Sequence, residues 1–559
     1  MFLTISGPKV LLCSVFGPYC QDDEYGSREL NPMELYHNQV TRVQGAFSLR
    51  MFHRSWGLMM IQANIHNPCV VLDFPTLDRF IEEIKNNKYD IIGISSIIPN
   101  IHKVKKMCEL IREISPNTQI VIGGHIANVP NLNEKISADI IVKGDGIRAM
   151  RNLLGEDENQ PINHPFIISG FGIRSCGMLL AEKPEEIAAT IIPSVGCPLG
   201  CNFCSTSAMF GGKGHSVDFY STGEDLFTIM EKIEKGMSVR SFFVMDENFL
   251  LNQKRALRLL ELMEEHKKAW TFYVFTSANV LKKYTIDQLI RLGVSWIWMG
   301  LEGEKSQYQK LSGIDTFDLV NTLQSNGIHI LGSTIIGLEN HTPDNINQVI
   351  EYAIKHNTDF HQFMLYTPIP GTPLYTELTN KGLMKPEDTY NMADIHGQLI
   401  LNYRHPSFND EQTAEFMLKA FNRDFEVNGP SIVRIVKTTL AGCRKYKNHP
   451  DLRVRSRVLW ESRNLSVKFS ALVGATRLYF KKNPAMHKKM SELLQDLHTE
   501  FGWKSRFSSF FGGRWLLRKI RKEEDWLVLG GTYEPQTFYE RNKYLDNPNI
   551  YCCQSVAVK

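Results

Sequence analysis

No stretch of about 18 uncharged apolar residues occurs in this chain, so a membrane-spanning helix is not expected. The start, Met1-Phe-Leu-Thr-Ile-Ser-Gly-Pro-Lys9, lacks the basic flank and long apolar run of a signal peptide. There is no internal repeat and no low-complexity segment, which sets solenoids and disordered tracts aside. Net charge is only +3, so the chain as a whole dictates no strongly acidic or basic partner. The 11 cysteines are odd in number and do not suggest a disulfide framework. What remains is ordinary globular material: 559 residues, 43% hydrophobic and 22% charged, enough for roughly three domains.

The chain is organised around Cys197-Pro-Leu-Gly-Cys201-Asn-Phe-Cys204, a C-x3-C-x2-C trio just after the apolar run Thr190-Ile-Ile-Pro-Ser-Val195. Three thiolates this close on one loop suit a soft iron–sulfur cluster. A closed zinc site wants four nitrogen or sulfur ligands, and no fourth lies nearby. Three protein ligands on a four-iron cluster leave one iron open. The pattern resembles the radical S-adenosylmethionine (SAM) superfamily. That resemblance implies a [4Fe–4S] cluster on Cys197, Cys201 and Cys204. It also implies SAM held at the open iron by its amino and carboxylate groups, cleavage to a 5′-deoxyadenosyl radical, and Phe203 packed on the adenine. An oxygen-sensitive cluster points to a reducing cytoplasm. Cys176 and the adjacent Cys552-Cys553 read as incidental thiols.

Residues 1–160 alternate β-branched runs with amphipathic ones. Strands are expected at Lys9–Val15, Pro68–Phe74, Tyr89–Ser95, Gln119–Gly124 and Ala138–Gly144, and helices over Leu77–Asn87 and Ile101–Ile114. The stretch between the first two strands reads as irregular. Such alternation implies a parallel sheet covered on both faces, with ligands at the carboxyl ends of its strands. Ser95, Ser96, Gly123, Gly124, Gly144, Asp145 and Gly146 lie at those ends. Glycine permits close backbone approach, and serine supplies hydrogen bonds. Directly upstream of the cysteine trio, these turns resemble the cobalamin-binding domain of B12-dependent radical SAM proteins. The resemblance implies that they line cobalamin. The family's Gly-Glu-Gly-Glu turn reads Gly-Asp-Gly-Ile here, and the D-x-H-x-x-G motif of other B12 proteins, whose histidine ligates cobalt, is absent. His125 could substitute, but reads better as a solvent-facing or hydrogen-bonded side chain. A flavodoxin-like domain without cofactor is the competing view. Residues 161–186, with Pro161, Pro165, Gly170, Gly172 and Gly177, read as a linker.

Residues 187–395 read as six strand–helix units, an open (βα)6 partial barrel with its chemistry at the carboxyl ends of the strands. Asp246 and Glu247 follow the second strand. The resemblance puts them near SAM's amino group, where charge pairing favours carboxylates. A helix N-cap ahead of Leu250–Glu265 is an equally good use for this stretch. Ser277 ends the third strand and Glu302 the fourth, and Gly337 and Glu339 end the fifth, in Gly-x-Glu and Gly-x-x-Glu elements like those of the family. Solvated end caps compete for the last two acids. The sixth strand, from Phe363, runs into Thr367-Pro-Ile-Pro-Gly-Thr-Pro373, a turn-fixing run that resembles B12-dependent radical SAM and methylthiotransferase relatives. The extra N-terminal cysteine trio of methylthiotransferases is missing; Cys13, Cys20 and Cys69 would have to serve.

Residues 396–559 change character. From Arg434 to Lys522 basic residues outnumber acidic ones roughly four to one. Phe507, Phe510, Phe511 and Trp515 are interleaved with them. A helical cap on the barrel with a solvated basic face is the first reading, an anionic membrane surface the second and nucleic acid the last.

The expected protein is α/β, with a Rossmann- or flavodoxin-like cobalamin domain, a partial TIM-like radical SAM barrel and a mainly helical basic tail. The resemblance implies an enzyme that cleaves SAM reductively and methylates an unactivated carbon from methylcobalamin. It implies an electron donor such as flavodoxin or ferredoxin, and a small-molecule, lipid or peptide substrate. A ring-forming or carbon–carbon-coupling enzyme without methylation is one rival. A non-catalytic cluster or cobalamin sensor contacting nucleic acid is the other.

Overall fold

The computed structural model describes residues 7–19, 24–25, 42–171, 174–180, 183–302 and 313–546. Cys20, Gly172, Cys552 and Cys553 lie outside them. The first sheet holds β1 (Val10–Cys13), β2 (Cys69–Asp73), β3 (Ile91–Ser95), β4 (Gln119–Gly123) and β5 (Ile140–Ile141), parallel in the order β2-β1-β3-β4-β5. Successive side chains leave a strand on opposite faces, and both faces are buried here. Leu12, Val71, Ile91 and Val121 share a core with Leu58 of α1 (Trp56–Ala63). Leu11, Val70, Ile92 and Ile120 share another with α2 (Leu77–Asn86) and α3 (Ile101–Ile114).

Two details differ from expectation. The stretch after β1 is not irregular throughout, since Trp56–Ala63 is helical. That helix carries no charged residue, so no polar stripe marks it in the sequence. β5 is two residues long. The Asp139 carboxylate accepts the Ile120 N–H at 2.7 Å and takes the place of a ladder bond where the strand was expected to begin.

The second sheet holds β6 (Ala188–Ile191), β7 (Ser241–Val244), β8 (Thr271–Phe275), β9 (Val294–Gly300), β10 (His329–Ile336) and β11 (Phe360–Leu365). All are parallel and lie in chain order. Between them come α5 (Ser205–Met209), α6 (Gly223–Met237), α7 (Gln253–Glu265), α8 (Ile286–Leu292), α9 (Thr316–Ser325) and α10 (Ile346–Lys355), with α11 (Pro373–Asn380) after β11. The six expected strand–helix units are present. β6 and β11 start earlier than expected, which leaves Thr367–Thr372 in the turn after the last strand, with Pro373 opening α11. α7 starts at Gln253 rather than Leu250.

Outward residues such as Phe242, Phe272, Val274 and Ile297 pack under the helices. The inward face is aromatic: Phe243, Tyr273, Phe275, Trp296 and Trp298 contact one another. An open barrel cannot bury such a face alone, and residues 161–186 help to do it. Phe171 stacks on Phe243 at 5.6 Å and meets Trp296 edge-on at 5.8 Å. His53 stacks on Phe243 from the N-terminal region. Ser169 N–H and Thr190 N–H donate to Ala188 O and Ile167 O, so this segment also pairs along the outer edge of β6. It is packed structure, not a loose linker. It lacks a long period because its elements among the described residues are short: Arg174–Ser175 paired antiparallel with Met178–Leu179, and a 3-10 turn at Pro184–Glu186. Cys176 is buried, and burial pushes its thiol up to about 12, as suits an inert cysteine.

The tail is mainly helical: α12 (Asp410–Asn428), α13 (Ser431–Tyr446), α14 (Leu452–Glu461), α15 (Ser470–Tyr479), α16 (Pro484–Phe507) and α17 (Gly513–Val528). It closes the amino-terminal end of the barrel, away from the carboxyl ends of the strands. Arg457 donates to Ile290 O at 2.9 Å, and Arg453 to Lys268 O at 3.3 Å. Thr439 meets His329 at the start of β10, and the Gly442 backbone lies against Gly327. The last carbonyls of a helix lack partners and carry negative partial charge, which arginine satisfies. Much of the basic excess is therefore structural. Arg434 forms a buried bidentate pair with Asp424 (3.0 and 2.6 Å) and donates to Thr358 O. Asp424→Ala strands that guanidinium; we expect a loss of about 3–5 kcal/mol, read as a lowered denaturant midpoint.

The chain then returns to the first sheet. β12 (Phe538–Arg541) pairs antiparallel with β2, Phe538 opposite Asp73. It covers an edge that would otherwise offer unpaired backbone groups. Among the described residues no helix is long and apolar enough to cross a membrane.

Candidate functional site

The carboxyl ends of the two sheets face each other. His125–Asn128, just after β4, touches α5 of the cysteine loop. A side chain on Gly371, in the turn after β11, would meet Asn128 at 2.7 Å.

On the barrel side, the cysteine loop follows β6 through a tight path. Gly196 (φ +85) and Gly200 (φ +63) adopt left-handed conformations. A Cβ on Gly200 would lie 2.5 Å from that of Lys213, so this turn requires glycine. Ser207 Oγ donates to Cys197 O at 2.7 Å, and Ser207 N–H approaches Cys204 Sγ at 3.4 Å. Asn202 binds Tyr366 OH, and Leu374 N–H donates to Asn202 O, which ties the loop to the proline-rich turn. Phe203 packs edge-on to Tyr366 at 6.1 Å.

Cys197, Cys201 and Cys204 are partly exposed, whereas Cys13, Cys69, Cys108, Cys176 and Cys443 are buried and free. Burial, and the mutual proximity of the trio, push the Cys197 thiol up to about 11. Among the described residues no three His, Cys, Asp or Glu side chains converge tightly enough for a single metal ion. A trio spread along one loop fits the larger iron–sulfur cluster, in which separate irons take separate thiolates.

The two acids after β7 do different things. Asp246 is buried and saturated. It pairs with Arg255, accepts Ser194 Oγ at 2.8 Å and caps the Asn248 N–H at 3.1 Å. Glu247 borders the cysteine loop, where the Gly196 N–H donates to it, and its Oε2 is buried without a partner. Burial, with repulsion from Asp246, pushes its carboxyl up to about 8. The N-cap of α7 is Asn252, not either acid. Ser277 hydrogen-bonds Asn248 at 3.1 Å. Glu302 is 3% exposed and has φ +48, an unfavourable conformation for a residue with a Cβ. Gly337 (φ +79) donates its N–H to His341. Glu339 is exposed in the turn after β10.

On the other sheet, Gly124 (φ +82) cannot be anything larger: a Cβ would lie 2.5 Å from Ser96 O and 3.0 Å from Ser95 Oγ. At Gly123 nothing lies within 4 Å of the place a Cβ would take, so the turn is open there. A Cβ on Gly144 (φ +81) would meet Met209 O of α5 at 3.5 Å. Asp145 is committed to helix capping: it accepts from Ile147 N–H and Arg148 N–H at the start of α4 (Gly146–Leu153). His125 is half-buried rather than solvent-facing; its Nδ1 is buried without a partner, and burial lowers the ring's pKa.

The comparisons with known proteins agree with this geometry. The B12 binding domain family matches residues 49–154, and the Radical SAM superfamily matches residues 191–353. The chain joins a B12-binding domain to a radical SAM domain. A radical SAM domain works with a [4Fe–4S] cluster and SAM, and a B12-binding domain with cobalamin; such enzymes need a reductant and a substrate. The chain is 24% identical over 373 residues to an uncharacterized methyltransferase of Pyrococcus horikoshii, covering 60% of its own length and 79% of that protein. It is 24% identical over 377 residues to a bacteriochlorophyllide d C-8(2)-methyltransferase of Chlorobaculum tepidum, covering 62% and 80%. It is 24% identical over 404 residues to an anaerobic magnesium-protoporphyrin IX monomethyl ester cyclase of Rubrivivax gelatinosus, covering 62% and 70%. Its fold matches the radical SAM methyltransferase TsrM of Kitasatospora setae, solved with cobalamin and a [4Fe–4S] cluster. The TM-score is 0.50 at 15% identity, over 82% of this chain and 99% of that one.

The aromatic lumen and its two covering segments escaped sequence reasoning. The alternation Phe243, Tyr273-Phe275, Trp296-Trp298 was the available signal, since β-strand positions two apart share a face.

Proposed function

We propose that this protein is a C-methyltransferase that cleaves SAM and places a methyl group on an unactivated carbon, with cobalamin as the carrier. The observation that carries the reading is the meeting of two sheet ends in one chain, the Ser95–Gly124 turns on one side and the half-exposed cysteine trio on the other. In this reading Cys197, Cys201 and Cys204 hold the cluster. Glu247 takes SAM's ammonium on its unpartnered oxygen, and that cation in turn keeps the carboxylate ionised. Phe203, Ser277, Glu302 and Gly337 border the rest of SAM. Ser95, Ser96, Gly123, Gly124, Gly144 and Gly146 line cobalamin. Asp246 and Asp145 are positioning residues, held by Arg255 and by the start of α4.

When bound, these groups supply one-electron bond cleavage and methyl transfer. The chain's own task is to fix three reactive centres and keep water from them. Half-buried Met245, Phe275, Trp298 and Met364 floor the barrel mouth, which supports an apolar substrate, small molecule or lipid, over a charged peptide. Flavodoxin or ferredoxin fits as the electron donor. A reducing cytoplasm fits the five buried free thiols.

Anaerobic reconstitution with iron, sulfide and cobalamin tests the reading. With SAM, reductant and an apolar acceptor, S-adenosylhomocysteine and 5′-deoxyadenosine are expected to form together. 5′-Deoxyadenosine alone, with product formed, would replace methylation by the ring-forming chemistry for which the Rubrivivax relative is named. Glu302→Gly separates function from folding. Glycine accepts φ +48, so stability holds within about 1 kcal/mol. SAM binding, followed by equilibrium dialysis, weakens about tenfold, because a charged hydrogen-bonding group is lost.

A further inference from the structure

The basic excess that the barrel does not use is concentrated at one tip. α16 breaks at Gly502 (φ +60), and from Trp503 one helix runs through a π-helical segment, Ser508–Gly512, into α17, packing against α15. At this tip the apolar residues face outward. Trp503 is 72% exposed, Phe507 59%, Phe510 51%, Phe511 56% and Trp515 52%. Single exposed aromatics are ordinary on protein surfaces; five spaced three or four residues apart along one helix are not. The three phenylalanines touch, Phe507 against Phe511 at 4.8 Å and Phe510 against Phe511 at 4.8 Å, so the centre of the patch is continuous.

Around it stand Lys504, Arg506, Arg514, Arg518 and Lys519, all exposed, and the sequence holds no acidic residue from Phe501 to Lys522. Among the described residues none of these five is ion-paired, in contrast to the buried Arg434 and to Arg453 and Arg457 on the same bundle. The Arg514 guanidinium lies 3.7 Å from the Phe510 ring centre and donates to Phe510 O, which keeps the ring directed outward. The tip is held from behind by a close backbone contact: a Cβ on Gly474 would lie 2.4 Å from Ser509 O. The patch is thus presented along one helix whose π-helical segment is packed tightly on α15.

We propose that this tip docks the enzyme on an anionic lipid bilayer, with Phe507, Phe510 and Phe511 inserted at the boundary of headgroups and acyl chains, Trp503 and Trp515 at headgroup level, and the ring of cations against lipid phosphates. The chemistry favours a bilayer over a nucleic acid. Phenylalanine has no polar group to leave at a phosphodiester surface, and an apolar apex with tryptophan and cations set around it is the arrangement that an interfacial segment adopts. The inference does not depend on the methyl-transfer reading, since it uses no residue of the site.

The reconstituted full-length protein is sedimented with vesicles of phosphatidylcholine alone and of phosphatidylcholine with phosphatidylglycerol. It is expected to partition onto the anionic vesicles, to be released by high salt, and to show a blue shift of tryptophan emission on binding. Phe510→Ser with Phe511→Ser, and separately Arg514→Glu with Lys519→Glu, each lower the partition coefficient by about tenfold or more. All four positions are exposed, so the melting temperature and SAM cleavage in solution stay unchanged. No partition onto anionic vesicles overturns the proposal. So does equal partition of wild type and both variants, or binding to duplex DNA or RNA in gel shifts without binding to vesicles.

Discussion

Cys201→Ala is expected to abolish cleavage of SAM, with 5′-deoxyadenosine falling to the level of a protein-free control and bound iron and sulfide falling with it. Cys201 is the middle member of a trio whose loop is fixed at both ends, by Ser207 on Cys197 O and by Asn202 on Tyr366. No other cysteine among the described residues can replace it, because Cys13, Cys69, Cys108, Cys176 and Cys443 are buried in packed cores. Folding should change little, within about 0.5 kcal/mol, since the side chain is partly exposed and makes no buried contact that the fold needs. Cys443→Ala is the counterpart. It removes a sulfur from the core of the helical bundle and lowers the melting temperature, while leaving iron content and cleavage intact. If the Cys201 variant still cleaved SAM, the cluster would have to sit elsewhere.

The sequence carried the parallel sheets, the six-stranded barrel and the cysteine loop because each depends on local pattern. Runs such as Gln119–Gly123 and Phe360–Leu365 are β-branched or aromatic and bounded by turn residues, and the trio sits at a fixed spacing. What it hid depends on partners far along the chain. Nothing near Asp246 announces Arg255 and Ser194 as its partners, so it and Glu247 look alike until one is found saturated and the other open. Asp145 looks like a ligand-turn acid and is a helix cap, a use that the same spacing serves equally well. The basic tail gives no hint that Arg434, Arg453 and Arg457 face the amino-terminal end of the barrel, while Arg514 and Lys519 face outward. β12 pairs with a strand more than 460 residues away, Arg541 opposite Val70, which no periodicity encodes.

The same limit explains Gly170, whose substitution has the second large effect. In the sequence it is one of several glycines in a stretch without period. In the fold a Cβ on Gly170 would sit 1.9 Å from Phe52 O and 2.6 Å from His53 N, contacts that no rotamer change relieves because both are backbone. Gly170→Ala must therefore separate the two segments. Separation breaks the 3.0 Å bond from Phe52 N–H to Gly170 O and pulls Phe171 and His53 off the Phe243 ring. Overpacking of this kind costs about 1–3 kcal/mol, and exposing part of an aromatic lumen adds about 1–2 kcal/mol more. The expected result is a lower denaturant midpoint and quenched, red-shifted emission from Trp296 and Trp298 as water reaches them. Gly177→Ala lies on the same segment, with a Glu523 side-chain oxygen as its nearest neighbour at 3.3 Å. It should cost less, because that side chain can move aside and the left-handed backbone (φ +68) adds only about 1 kcal/mol. Equal stability of the two variants would mean that the lumen is not sealed by this segment, and the barrel would then have to keep water from its reacting groups by some other means.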